Sequence, residues 1–568
     1  MVVAQVLFEV SFEVCNKVGG IHTVVSSKAD LLQQAYQQYY LIGPYTNSVE
    51  FDEQPIPQHL QGVAHTLQQE GIILHYGRWH IAGKPQVLLL EFFGVQSKLN
   101  SLKAQLWQSF QVDTLLGGFD VDEPLMLSYA AARCIECFIH EHPQKAVVHS
   151  HEWMTGFTNL CLKLNNSPVK TVFTTHATML GRSYAAHTSQ LYERIKDINP
   201  TQEAQRLGVV AKHSTEVACA HHSDIFTTVS DITAMECEYL LGKKPDVIVY
   251  NGLNMYHFPD FEQIALDHQH SKKALIDITM SHFFPYYTFD TQQTLFFVIS
   301  GRHEIHNKGI DVALQALKTL DTKGKTVVCL ITVPHKTYGI DKEVLENKIF
   351  MRTLRRYMQQ TIDGMQHKLV HSALQASYEV FDEHQQMSLQ KLVKAGRKTG
   401  NPPLSTHYVN EDNEMIRLLQ SLGFDNSEQQ QVKIMYVPIY LTGVDGVIDL
   451  DYYQLLQGCH LGLFASYYEP WGYTPLESCA LGVPALTTDL AGFGQFVDGK
   501  DGVYVVKRLG KTYDEVVTSC AQAMQDFIEL HHNERVQKKI AAKQLSELAD
   551  WNILVKQYLK AHDMAFSK

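Results

Sequence analysis

The chain has no long apolar run: across 568 residues nothing approaches the roughly 18 consecutive apolar positions of a membrane span. Nor has it a surplus of positive charge. Its 48 Lys and Arg stand against 60 Asp and Glu, a formal net charge of −12, which argues against a general polyanion binder, because nucleic-acid affinity rests on clustered cations. A neutral polymer or a locally bound anion suits it better. No Gly/Ser, Pro or Gln tract marks a long disordered tail. The ten cysteines are scattered, and the C-x-x-C at Cys134 and Cys137 lies in a helical pattern without a second pair, so structural thiols in a reducing cytoplasm are expected. Despite 29 histidines there is no H-E-x-x-H or comparable spacing, so no metal site is expected. The opening "MVVAQVLFEVSFEV" lacks a basic stretch and is interrupted by Glu9 and Glu13; it reads as a first strand, not a secretory leader.

What is present is a globular composition, 45% hydrophobic and 19% charged, in a length that allows about two to four domains. Short apolar runs alternate with helix-length segments: "VLFEV", "KAVVHS", "VKTVFTTH", "SDIFTTVS" and "DVIVYNG" before residue 255; "TLFFVISG", "TVVCLITV", "VKIMYV", "HLGLFAS", "VPALTTD" and "GVYVVKR" after 290. Continuous apolar strands separated by helices imply an α/β protein with parallel sheets covered on both faces. Residues 254–293 fit neither series and read as a connector. Between Pro334 and Pro402 no proline occurs, and Leu354, Met358, Ile362, Met365 and Leu369 follow helical spacing, which implies a helical insertion packed either on its own domain or on another copy.

Five stretches carry chemistry. In "YYEPWGYTPLESC", Glu469 should emerge at the carboxyl end of a buried strand, where open α/β sheets bind ligands. Thr474-Pro475-Leu476-Glu477 reads as a capping box, which alone could justify Glu477. "SGRHEIHNKG" places Arg302 and Lys308 between a strand end and a helix start near Gly309, a setting for a diphosphate-sized anion. "NKVGGIHTV" puts paired glycines before a helix, a weak anion signal that is neither a G-x-G-x-x-G fingerprint nor a P-loop. "FTTHATMLGR" sets His176 at a strand end with Arg182 six residues on, and "HSHEWMTG" repeats that arrangement with His151 and Glu152.

Together with "YNGLN", "GCHLGLFAS" and "LSELADW", these stretches stand in the order found in the eukaryotic-type glycogen synthases, glycosyltransferase family 3, which the chain resembles from about residue 7 to its last residue. Starch synthases and bacterial ADP-glucose enzymes typically carry Lys-Thr-Gly-Gly-Leu where Lys17-Val18-Gly19-Gly20-Ile21 stands here. The resemblance implies a GT-B fold, two Rossmann-like domains facing a central cleft. The expected division is residues 1–255, on the acceptor side and completed by a returning helix within 545–568; a connector, 256–293; and 294–544, the nucleotide-sugar domain with an insertion at about 335–425.

It also implies retaining transfer of glucose from UDP-glucose to the non-reducing end of an α-1,4-glucan such as glycogen, with no metal or organic cofactor, no nucleic acid and no membrane. By resemblance, Glu469 and His176 lie at the donor glucose and Arg302 and Lys308 neutralise the diphosphate. Tyr452 stacks on uracil, Glu477 takes the ribose, and the turn through Trp471, Gly472, Tyr473 and Thr474 holds the distal phosphate with its backbone. Lys17, Gly19, Gly20, Arg182 and Asn251 surround the donor. A cytoplasmic homo-oligomer, a tetramer among the options, is expected. The terminal extensions that carry phosphorylation sites in animal and fungal members are expected to be missing. Where those members have an arginine-rich helix sensing glucose 6-phosphate, this chain has Arg535, Lys538, Lys539 and Lys543, which implies at most a weak phosphate site. A catalytically silent glucan-binding scaffold, or a transferase of another nucleotide sugar, remains as the alternative.

Overall fold

The computed structural model describes residues 3–188, 190–375 and 383–568, and for 363–375 the backbone alone. Among these, fifteen strands form two sheets. The first contains β1 (Val6–Val10), β2 (Gln38–Pro44), β3 (Phe51–Glu53), β4 (Ile73–Trp79), β5 (Gln86–Glu91), β6 (Ala146–His151), β7 (Lys170–Thr175), β8 (Ile225–Thr228) and β9 (Val247–Ile248), ordered β3-β4-β5-β2-β1-β6-β7-β8-β9. The second contains β10 (Leu295–Ser300), β11 (Val327–Thr332), β12 (Val432–Tyr436), β13 (Leu461–Leu463), β14 (Ala485–Thr488) and β15 (Val503–Val506), ordered β12-β11-β10-β13-β14-β15.

The second sheet is parallel throughout. The first departs from the all-parallel expectation at one edge, where β3-β4-β5 run antiparallel. The physical reason is the connection: only residues 80–85 join β4 to β5, too few for the crossover a parallel pair requires. In the parallel parts every residue of β1, β6, β10 and β11 is buried, since helices cover both faces.

Register aligns the strand ends that carry the site. Val10 of β1 lies level with Ser150 of β6, and His151 with Thr174 of β7, so the segments starting at Ser11, Glu152 and His176 leave from one edge. The corresponding edge of the second sheet gives rise to the loops after Ser300 and Leu463. Two apolar clusters draw on both halves: one joins Val24, Val249 and Trp551 to Trp471 and Leu476, the other Leu180, Leu191 and Ile232 to Tyr467 and Tyr468.

Residues 254–293 hold a 23-residue helix, Phe261–Phe283, whose N-cap Asp260 accepts from Glu262 and Gln263 backbone amides. It packs on the helices Tyr452–Gly458 and Lys342–Gln375 beside the second sheet. Gly458 permits the approach, because an added Cβ would lie 2.7 Å from Leu275. Among the described residues the insertion contains three helices, Lys342–Gln375, Glu383–Gly396 and Glu414–Ser421. Leu354 and Met358 are half-buried and Ile362 is exposed, while the side chains of Met365 and Leu369 lie outside the described residues. The last helix, Trp551–Met564, lies against the first half: Trp551 donates from Nε1 to Ser27 Oγ at 2.6 Å, and His562 Nδ1 is 2.7 Å from the Tyr36 hydroxyl. No helix among the described residues is long and apolar enough to cross a membrane.

Candidate functional site

Each half contributes loops from the carboxyl edge of its sheet. From the second, the β10 loop carries Arg302, Glu304 and Lys308, and the β13 loop carries Glu469. Lys308 Nζ pairs with Glu469 Oε2, both side chains being about 15% exposed. These loops are tied together by the Asn307 carbonyl, which accepts from the backbone amides of Tyr467 and Tyr468 at 2.9 and 3.1 Å. Glu469 is held from behind as well, since its carbonyl accepts from Gly492 at 3.0 Å.

Glu304, which sequence reasoning passed over inside a quoted motif, joins the halves. Its Oε1 accepts from Arg182 Nη2 of the first half at 3.1 Å and lies 3.4 Å from Arg302 Nη1 of the second. Burial would raise its pKa, but Arg302, Arg182 and Lys308 outweigh burial and hold it below the ordinary carboxylate value. Three cations and two carboxylates therefore meet at one edge of the cleft.

The turn after Glu469 corrects the capping-box expectation. The helix is Tyr473–Ala480, two residues longer at its start, with Gly472 as N-cap at φ 111° and no side-chain cap. A Cβ at Gly472 would crowd Pro475 and Glu469 at 3.2 and 3.3 Å, so the turn demands glycine twice over. Released from capping, Glu477 turns toward the helix Tyr452–Gly458, where its Oε1 accepts from Tyr453 Oη at 3.0 Å. Burial pushes Glu477 up to about 7, opposed by that hydrogen bond and by Lys17 across the cleft. Tyr452 hydrogen-bonds Ser300 Oγ at 3.0 Å. Trp471 is buried among Tyr250, Phe493 and Phe496, so only its backbone is available to a ligand. Tyr473 reaches across to donate to the Gly252 carbonyl at 3.3 Å, and Thr474 sits half-exposed beside it.

In the first half, the helix after β1 begins at Gly20, and its leading amides are already engaged. Glu13 Oε2 accepts from Gly19 at 2.6 Å and from His22 at 2.9 Å. Lys17 is exposed on the same turn. Asn251 is 3% exposed and its Oδ1 is enclosed without a partner among the described residues. His176 follows β7 and its amide donates to Glu152 Oε1 at 2.8 Å; Glu152 holds a left-handed φ of 66° at the head of its helix. Burial first, then His151 and Lys28, keep the His176 ring well below its ordinary pKa and therefore neutral.

The four cations expected to form a phosphate site separate. Lys538 pairs with Asp501, and Lys543 is buried with Glu547, Asp260 and Asp550 nearby. Arg535 and Lys539 instead join Lys272, His268 and His460: Lys539 Nζ is 3.3 Å from His268 Nδ1, whose ring stands 5.2 Å from that of His460. Burial, followed by repulsion from Lys272 and Arg535, brings Lys539 down to about 7.

Two sheets of this kind with a cation-lined cleft between their carboxyl edges define a GT-B glycosyltransferase. The fold is shared with the catalytic domain of starch synthase IV from Arabidopsis thaliana bound to ADP and acarbose, at TM-score 0.55 and 13% identity with all of both chains covered. A UDP-forming trehalose-phosphate synthase from Burkholderia xenovorans matches at TM-score 0.52 and 10% identity over 98% of each chain. More particularly, the chain belongs to the glycogen synthase family, whose model matches residues 9–568. It is 33% identical to a glycogen [starch] synthase of Neurospora crassa over 99% of this chain and 84% of that one. To the human liver glycogen [starch] synthase it is 30% identical, over 99% of this chain and 83% of the other.

Proposed function

We propose that this glycosyltransferase moves glucose from UDP-glucose to the non-reducing end of an α-1,4-glucan such as glycogen, with retention of configuration. The observation that carries the reading is the Lys308–Glu469 pair beside the Arg302–Glu304–Arg182 bridge. Arg302 and Lys308 stabilise the charge that gathers on the leaving diphosphate, and Lys308 fixes the Glu469 carboxylate against the sugar. Tyr452 lies under the uracil, Glu477 takes the ribose, and Asn251 lies beside the donor. The departing phosphate accepts the proton of the attacking glucan hydroxyl on the same face. The division of labour follows the domain boundaries given by the sequence, with the first half on the acceptor side.

The test is UDP release by purified protein with UDP-glucose or ADP-glucose, with and without glycogen. Release that requires UDP-glucose and rises with glycogen is expected. Release without glucan, or only from ADP-glucose, would assign another donor or acceptor, and no release would leave a glucan-binding scaffold.

The protein works in the cytoplasm as a homo-oligomer joined through the insertion, on which Ile349, Ile362, Met387 and Val393 are exposed. Sedimentation of Ile349→Asp with Ile362→Asp should give a smaller species than the parent. The Lys272, Arg535 and Lys539 group takes a sugar phosphate weakly. With only one arginine fork to grip the anion, activation of the initial rate by glucose 6-phosphate should stay below about tenfold.

A further inference from the structure

Beneath His176 lies a charge-balanced chain of buried groups with no place in the donor chemistry above. His151 Nδ1 is 3.0 Å from His176 Nε2, and His151 Nε2 is 2.6 Å from Glu9 Oε1. Glu9 also pairs with the ammonium of Lys28 and accepts from the hydroxyl of Tyr39. Glu9 and Lys28 are fully enclosed and His151 is 1% exposed. Glu9, His149 and His151 offer three ligand atoms within 4.8 Å of one another, as a metal site would. The cation already lodged there is Lys28, and both nitrogens of His149 are engaged, by His562 and Thr174.

The pattern leaves one arrangement of protons. A carboxylate accepts only, so His151 donates to Glu9 from Nε2. Lys28 already neutralises Glu9, so a second proton on His151 would place an unbalanced charge in a sealed interior, and the ring stays neutral. Its Nδ1 is then an acceptor, which requires His176 to donate from Nε2. The remaining nitrogen, His176 Nδ1, carries a lone pair, meets no described residue, and is not sealed from solvent at the sheet edge.

We propose that Glu9 and His151 are positioning residues that fix the tautomer of His176, so that His176 Nδ1 receives a hydrogen bond from a hydroxyl of the substrate sugar. This rests on reading the cleft as a sugar-nucleotide site. His176 is thereby an orienting acceptor and not an acid, and the sugar must present a donor to it. Burial would raise Glu9, but Lys28 and His151 hold its carboxyl well below the usual range; His151 is lowered by burial against the pull of Glu9.

The experiment begins with nitrogen NMR of the full chain labelled at histidine, the His176 signals being those lost in His176→Asn. A proton on Nε2 of His176 is expected; a proton on Nδ1, or on both, overturns the proposal. The second arm is Glu9→Gln combined with Lys28→Met, which leaves no buried charge unpaired. This variant should show mixed His176 tautomers, bind UDP within about twofold of the parent, and lose about 10- to 100-fold in kcat/KM for UDP-glucose, the worth of one substrate hydrogen bond. A folded variant within about threefold of the parent overturns it, and if the pair does not fold, the parent spectrum alone decides. Should the parent release no UDP from UDP-glucose, the functional reading fails while the tautomer result stands.

Discussion

The two walls of the cleft treat their carboxylates in opposite ways. On the second, Glu469 is paired with Lys308 and Glu304 sits between Arg302 and Arg182. On the first, Glu152, Glu216 and Glu236 cluster around the segment after β7 with hydrogen bonds in place of ion pairs. Glu216 accepts from Thr175 and Met179, and Glu236 from Thr178, Tyr192 and Tyr468. Burial raises all three, Glu236 to about 7. In the proposed transfer the leaving nucleotide gathers negative charge, which the fixed cations of the second wall would meet. On the same proposal, the first wall offers the donor sugar a neutral histidine and hydrogen-bonded carboxyl groups, with Arg182 turned away to Glu304.

The strongest attack on that contrast removes a cation from the charged wall. Arg302→Ala should lower turnover on the order of 10²- to 10³-fold, because its partner charge develops only in the transition state. A loss below about threefold would make Arg302 a surface residue and the contrast an accident of sequence.

Next in size is Tyr452→Ala, which acts on the nucleotide before any charge moves. Stacking is equal in ground and transition states, so KM for UDP-glucose should rise about 10- to 100-fold with turnover nearly kept. An effect on turnover alone would contradict the stacking role.

Glu477 tests the boundary between the walls, for it lies on the charged side yet titrates like the neutral one. As pH rises through about 7 its carboxyl ionises and becomes a stronger acceptor for a ribose hydroxyl. KM for UDP-glucose should therefore fall by about threefold from pH 6 to pH 8. Tyr453→Phe deletes the hydrogen bond that opposes burial, so the fall should move to higher pH. A flat KM profile in the parent would detach Glu477 from the donor.

How far the sequence reveals this arrangement depends on how local each cause is. Strands such as "TLFFVISG" and "TVVCLITV" are legible because burial on both faces leaves an unbroken apolar run. The antiparallel strands Ile73–Trp79 and Gln86–Glu91 are not legible, since the first mixes exposed and buried positions and the pair is separated by a short turn. Arg302, Lys308 and Glu469 are visible as charges at strand ends. Glu304 is invisible as a bridge, because its partner Arg182 lies 122 residues away. The helix start at Tyr473 was masked by the Thr-Pro-Leu-Glu pattern, whose signal Gly472 outranks by supplying a left-handed N-cap. The regrouping of Lys539 with Lys272 and His268 needs the packing of helices 271 residues apart.

The smallest effect comes from the neutral wall. Glu236 is fully enclosed, its Oε2 2.6 Å from Thr178 Oγ1 and 3.0 Å from Tyr468 Oη, its Oε1 2.9 Å from Tyr192 Oη. Because its folded pKa of about 7 lies above the ordinary value of 4.5, the proton is bound more tightly in the folded chain. The resulting stabilisation is full below the unfolded pKa and is lost as pH rises through about 7. Glutamine mimics the protonated form and cannot ionise, and its amide can donate to a hydroxyl oxygen of the surrounding tyrosines. Glu236→Gln should therefore change turnover by less than about twofold while removing a pH-dependent loss of order 1 kcal/mol between pH 6 and 8. The measurement is the thermal midpoint of both proteins at the two pH values: the parent should lose more than the variant. Equal losses, or a large fall in turnover, would mean that Glu236 works as an anion and that the first wall is charged after all.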